Sequence, residues 1–273
     1  LKLENTDLGK KVQYDDQYNP EKLVAIPRSL QREEMNIGTQ LPFFGFDIWN
    51  HYEVSWLNQK GKPIVALAEI IINCESPSII ESKSMKLYFN TFNNTQFKDI
   101  NVVQQTIQND LEEKILYPVE IRLHPLNELK KIALCNNFEG ICIDELDVAC
   151  DQYTVDTSLI KTGKEVISET LYSNLLKSNC LVTNQPDWAS LQIKYTGKKI
   201  DQQNLLRYIV SFRNHNEFHE HCVERIFTDL LRAAQPEELT VYARFTRRGG
   251  LDINPYRTTT SNIRLDNIRL ARQ

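Results

Sequence analysis

Residues 189–234 read ASLQIKYTGKKIDQQNLLRYIVSFRNHNEFHEHCVERIFTDLLRAA, and their pattern decides the fold class. Leu191, Ile193 and Tyr195 alternate with Gln192 and Lys194, as on a strand with one buried face. Gly197 is expected to mark a turn. Asp201 is placed to cap a helix carrying Leu205, Tyr208, Ile209 and Phe212. A longer helix follows over about 217–234, with Phe218, Cys222, Ile226 and Leu230 as its stripe. Beyond it Val241, Ala243 and Phe245 alternate again, Gly249-Gly250 makes a tight connection, and a last strand is expected over 251–257.

The first half has the same order. Residues 53–57 and 64–73 read as strands around a turn at 58–63. Met85, Tyr88, Phe89 and Phe92 lie on one face of a short helix. Asp99 caps a second helix with the stripe Val103, Ile107, Leu111, and Val119, Ile121 and Leu123 form a strand. Hairpins with paired helices predict an α+β class with antiparallel sheets, ββααββ twice over, and exclude a parallel βαβ sheet. The expected division is an irregular N-terminal extension (1–40), a first unit (41–125), a connecting segment (126–165) and a second unit (166–273).

Only nine of 273 residues are glycine, and none has the spacing G-x-G-x-x-G or G-x-x-x-x-G-K-[ST]. A Rossmann domain and a P-loop are therefore not expected. Six cysteines without a C-x-x-C pair, and a start with no apolar leader, predict reduced thiols in the cytoplasm. The apolar run 64–72 is broken by Glu69 and is too short to span a bilayer. Net charge is −4, which argues against general nucleic-acid binding. Residues 244–273 nonetheless hold seven arginines against Asp252 and Asp266, a balance suited to a small anion.

Four segments could carry chemistry. Cys180 lies in a polar loop with Asp187 seven residues on, as a nucleophile and its acid would, or as a spare thiol in a turn. His215, His219 and Cys222 have the spacing of a three-ligand zinc site, although Cys222 falls on the apolar stripe. His219 and Glu220 could instead open the helix at a pocket, the carboxylate accepting from the N–H groups of a heterocycle. Ser82 or Ser84 could cap the helix after Glu81; alternatively helix-start amides with Ser82 and Lys83 cradle a phosphate. Arg247, Arg248 and Gly249 form a turn that could clamp phosphate or end an edge strand.

In this order ESKSMKLY (81–88), SNCLVTNQPDW (178–188), FRNHNEFHEHCVERI (212–226) and YARFTRRGGLDINP (242–255) resemble one family. It is the NADPH-dependent 7-cyano-7-deazaguanine reductases of queuosine biosynthesis (QueF), in their long form. The resemblance implies tandem tunnelling-fold (T-fold) units and a homodimer. It implies that Cys180 attacks the nitrile carbon to give a thioimide, that Asp187 is the general acid, and that His219 assists proton transfer. It further implies that Ile80, Glu81, Ser82, His219 and Glu220 hold the substrate, and that Ser82, Lys83, Arg248 and Gly249 bind NADPH. No metal, membrane or direct nucleic-acid partner is implied. The rival reading is a zinc-dependent, cyclohydrolase-like T-fold enzyme acting on a purine or pterin. A non-enzymatic purine-binding or tRNA-associated module ranks below both.

Overall fold

The computed structural model describes residues 15–129 and 134–273. The chain divides into two compact units. The first takes in residues 15–33, 47–129 and 247–252, and the second residues 34–46, 134–246 and 253–273.

The first unit opens with β1, Ala25–Pro27, and α1, Ser29–Glu34. There follow β2, Phe44–Leu57, which enters from the second unit, then β3, Pro63–Asn73, and β4, Ser78–Ile80. Two helices, α2 (Ser82–Asn90) and α3 (Ile100–Ile115), precede β5, Val119–Pro125. The strand order is β5-β3-β2, with β3 and β5 antiparallel and Ile70 opposite Ile121. Asp99 caps α3 as its sequence position predicts, accepting from the amides of Asn101 and Val102. Val103, Ile107, Leu111 and Ile115, four residues apart, are all fully buried. Each such side chain contributes about 1.5–3 kcal/mol of burial. The helix ends where Leu116 turns left-handed at φ 57°.

The second unit holds the short strands β6, Leu134–Cys135, and β7, Ile141–Cys142. The long pair β8 (Thr162–Asn179) and β9 (Pro186–Ile200) comes next, then α4, Gln202–Val210, and α5, His219–Ala234. Strands β10 (Glu238–Phe245), β11 (Leu251–Thr258) and β12 (Arg269–Leu270) complete it. Its strand order is β11-β10-β9-β8-β7, antiparallel from β11 through β8. Asp201 caps α4 by accepting from the Asn204 amide, as its position predicts. On α5, Cys222, Ile226 and Leu230 are fully buried.

Three expectations change. Gly197 makes no turn: it lies inside β9, where a Cβ would sit 2.9 Å from Pro236 Cα, so glycine is needed for close approach. β8 had no expected counterpart, because its first half is polar and exposed on both faces and shows no alternation. Residues 15–40 are not irregular throughout. Leu23, Ile26 and Arg28 are buried, and β1 pairs antiparallel with β4. Residues 1–14 of the expected extension lie outside the described residues.

Gly45 is expected to be the least replaceable glycine of the second unit. Its φ is +150°, and a Cβ would lie 2.1 Å from the Tyr256 carbonyl oxygen, which is backbone and cannot swing aside. Gly45→Ala should cost at least about 2 kcal/mol. A urea unfolding midpoint equal to that of the parent protein would show the strands tolerate the methyl group.

Candidate active site

The second unit positions Cys180, Asp187, His219 and Glu220. Cys180 is the first residue after β8, and a tight connection returns the chain to β9. Its amide donates to the Gln185 carbonyl at 2.8 Å, and its carbonyl accepts from the Asn184 amide at 3.0 Å. Asn184 takes the left-handed conformation at φ 55° that closes the turn, which asparagine tolerates well. The thiol is half-buried. Two positions inside this hairpin, Ser178 on β8 faces Asp187 on β9, so the register that sets the turn also sets the acid.

The same strand end binds the segment before α5. The Asn179 amide donates to the His215 carbonyl at 2.8 Å, and the Glu217 amide to the Asn179 carbonyl at 3.0 Å. His219 and Glu220 are the first two residues of α5, which opens on Phe218 without a side-chain cap. His219 Nε2 lies 3.3 Å from Asp187 Oδ2. Its ring stacks on Phe245, centroids 3.9 Å apart and planes within 8°. Its Nδ1 is buried and has no hydrogen-bond partner among the described residues. Asp187 and Glu220 are both buried. The structure therefore assembles an acid and an imidazole beside the thiol hairpin, and adds a second carboxylate in the first turn of α5, where the helix dipole favours negative charge.

The three candidate zinc ligands go separate ways. His215 Nε2 meets Glu217 Oε2 at 2.9 Å, and His219 meets Asp187. Cys222 is a core thiol, and burial raises its pKa well above the ordinary thiol range.

The first unit holds Ile80, Glu81, Ser82, Lys83, Arg248 and Gly249. Here the expected cap is corrected. Neither Ser82 nor Ser84 caps α2; Glu81 does, its Oε1 accepting from the Lys83 amide and its Oε2 from the Ser84 amide, both at 2.7 Å. Those amides are thus engaged, and an anion at this end would meet side chains instead. Burial pushes the Glu81 pKa up, and the two amide bonds oppose that push. Ser84 Oγ donates to the Glu81 carbonyl and accepts the Val24 amide, while the Glu81 amide donates to the Val24 carbonyl. Residues 24–27 therefore hold the 80–84 motif directly. The sequence offered only the buried-type residues Leu23 and Ile26 as a hint of this.

Arg248 and Gly249 lie on a turn in which Gly249 and Gly250 have φ of 58° and 70°. A Cβ on Gly249 would come within 3.3–3.4 Å of Lys86 Cδ, Cε and Nζ. One on Gly250 would lie 2.3 Å from Glu53 Cδ. Lys86 of α2 thus lies against the arginine turn, while Arg247 covers the Tyr52 ring at 4.4 Å. A cradle of bare glycine backbone, lysine and arginine suits the phosphates of a dinucleotide.

Among the groups that sequence reasoning missed is Glu217. It is buried and accepts Arg225 Nη2 at 2.7 Å and Nε at 3.0 Å, besides His215. Burial raises its pKa, but the bonds from His215 and Arg225 outweigh this and leave it lowered. A lowered carboxylate stabilises the fold above its unfolded pKa and loses that contribution as pH falls through its folded value. Glu217→Gln should therefore lose about 1–3 kcal/mol at pH 7. The gap to the parent protein should shrink as pH is lowered below about 4. Urea midpoints at pH 7 and pH 3 measure it, and an equal gap at both would contradict the assignment.

A family model described as nitrile reductase, 7-cyano-7-deazaguanine-reductase N-term, matches residues 14–123, and a QueF-like protein model matches residues 186–263. NADPH-dependent 7-cyano-7-deazaguanine reductase of Legionella pneumophila (strain Lens) is 56% identical over 98% of this chain and 95% of its own length. That of Coxiella burnetii (strain CbuK_Q154) is 51% identical over 99% and 97%. The crystal structure of the archaeosine synthase QueF-Like in the apo form aligns at TM-score 0.31 and 12% identity, over 37% of this chain and 99% of that one, too low a similarity to bear on the fold. Matched almost end to end at more than half its residues, the chain belongs to the 7-cyano-7-deazaguanine reductase family of nitrile reductases.

Proposed function

We propose that the chain reduces the nitrile of 7-cyano-7-deazaguanine to the aminomethyl group, with NADPH as reductant, in tRNA queuosine biosynthesis. The observation that carries this is the Asp187–His219 pair at 3.3 Å beside the hairpin that presents Cys180, in a chain of this family. Addition of the Cys180 S–H across C≡N puts sulfur on carbon and a proton on nitrogen, converting a poor hydride acceptor into an activated C=N. Asp187 delivers that proton as general acid, and His219, in contact with it, assists the transfer. NADPH supplies two hydrides, one to the thioimide carbon and one to the imine that remains after the thiol has left. Two further protons balance the reaction, one returning to the departing Cys180 thiolate and one completing the amine.

Glu220 and Glu81 would accept hydrogen bonds from the heterocycle's N–H edge, with His219, Ile80 and Ser82 lining the base. Glu81 can do this while capping α2, since each carboxylate oxygen has two lone pairs. Ser82, Lys83, Arg248 and Gly249 would hold NADPH. The lysine and arginine charges there match its phosphates, and Gly249 lets the backbone approach. The finer architecture we propose is a tandem T-fold, with units at 41–125 and 166–273, a connecting segment at 126–165 and an N-terminal extension at 1–40. We place the enzyme in the cytoplasm as a homodimer, with no direct nucleic-acid partner.

Mixing the protein with NADPH and 7-cyano-7-deazaguanine should oxidise two NADPH for each amine formed; no oxidation would end this reading. Cys180→Ala should lose both reduction and the covalent adduct seen by intact-protein mass spectrometry. An adduct persisting in that variant would place the nucleophile elsewhere. Asp187→Asn should retain substrate binding and lower kcat by about 10²-fold or more. An unchanged kcat would remove Asp187 from proton transfer.

A further inference from the structure

Residues 267–273 lie outside the four motifs, yet their last two side chains meet Phe245, on which His219 stacks, and Trp188, which follows Asp187. Gln273 is buried, and its carboxamide is used on every side. Oε1 accepts from Arg244 Nε at 2.9 Å and from the Leu270 amide at 3.2 Å. Nε2 donates to the Phe245 carbonyl at 3.0 Å and to Asn254 Oδ1 at 2.8 Å. Phe245 is the ring on which His219 stacks. Arg272 donates to the Asn174 carbonyl, and its guanidinium lies 5.6 Å from the Trp188 ring centroid. Trp188 directly follows Asp187 on β9, and its carbonyl accepts the Thr246 amide, next to Phe245, at 2.9 Å. Arg213 meets the same indole at 5.7 Å.

We infer that Gln273 and Arg272 are positioning residues for proton transfer, Gln273 acting on His219 through Phe245 and Arg272 acting on Asp187 through Trp188. The inference rests on the acid–base reading of Asp187 and His219 given above. A stacked ring has no directional bond to fix its height over its neighbour. Where His219 sits over that ring therefore follows how Phe245 is held, and beside the β10–β9 ladder two hydrogen bonds flank Phe245: Gln273 to its carbonyl and the Thr246 amide to the Trp188 carbonyl. Trp188, clasped by two guanidinium groups, likewise adds a side-chain anchor beside Asp187 to the hairpin register. Proton transfer is sensitive to such placement, since about 1 Å of error costs on the order of 10²-fold in rate.

The variants are Gln273→Ala, which leaves the Phe245 carbonyl without this donor, and Arg272→Ala on an exposed side chain, which should fold normally. Arg272→Lys retains the cation over the indole. Each is assayed below its own melting temperature for kcat and KM with NADPH, for kcat against pH, and for thioimide formation by mass spectrometry. Gln273→Ala and Arg272→Ala should each lower kcat about tenfold, a part of the roughly 10²-fold attached to a full ångström. They should also shift the pH profile of kcat, leave KM for NADPH unchanged and still form the adduct. Arg272→Lys should recover most of the loss. A merely structural role would lower the melting temperature and leave kcat and its pH profile at parent values, and that result would overturn the inference. Asp187→Asn is run alongside. If its kcat is also unchanged, the acid–base reading itself has failed; if its kcat falls while Gln273→Ala and Arg272→Ala match the parent, only the positioning role has.

Discussion

Two backbone hydrogen bonds on Asn179 govern the second unit's site. Its amide donates to His215 and its carbonyl accepts from Glu217, so the end of β8 and the entry to α5 are one ladder step. Everything chemically interesting hangs from that step. Cys180 is the next residue along one strand, and His219 opens the helix two residues beyond Glu217 along the other. The hairpin register then brings Asp187 opposite Ser178, within reach of His219. Each of these bonds is worth only about 1 kcal/mol net. Their value is geometric, because they leave the thiol and the imidazole no independent freedom. The side chains reinforce the step: Asn179 Nδ2 donates to Asn216 Oδ1 at 3.2 Å, and Lys177 Nζ donates to Asn179 Oδ1 and the Arg213 carbonyl, both at 2.6 Å.

Glu81 caps α2 and, in the function we propose, also meets the substrate. Burial is the larger effect and leaves its pKa raised, while the two helix amides pull the other way. A heterocycle presenting N–H groups would add donors to the ionised form and tip that balance toward charge. The cap also explains why the segment before β2 is needed. A helix of nine residues is marginal alone, and Val24, just before β1, fixes its first turn through both the Glu81 amide and Ser84 Oγ.

Much of the fold was legible because it obeys single-segment rules. Asp99 and Asp201 cap their helices where the sequence puts them, and the α3 stripe is buried as its spacing requires, as are Cys222, Ile226 and Leu230 of α5, although Phe218 stays half-buried ahead of the helix. The misses come where a second segment decides. β8 is a strand because β9 lies beside it, not because its own residues alternate. Gly197 serves Pro236, a neighbour invisible in local sequence. Glu81 displaced the serines as cap because its longer side chain reaches two amides at once. In the site, the hairpin and the α5 entry were readable as motifs. The Phe245 stack and the Gln273 contacts were not, since nothing in their spacing relates residues 245 and 273 to residue 219.

The scarcity of glycine takes its meaning from these contacts. A glycine-rich phosphate loop works by exposing consecutive amides. In α2 the corresponding amides of Lys83 and Ser84 are already spent on Glu81, so such a loop could not coexist with this cap. The chain uses its one adjacent glycine pair differently. Gly249 and Gly250 adopt left-handed conformations, and their missing Cβ atoms leave room for Lys86 and Glu53. An anion held there, as we propose for NADPH, would meet side-chain charge from Lys86 and the neighbouring arginines, not a fan of amides. Lysine holds a phosphate as a point charge, and arginine adds the direction of its planar fork. A site built this way should therefore distinguish cofactors by how many phosphates they carry, which is the difference between NADPH and NADH.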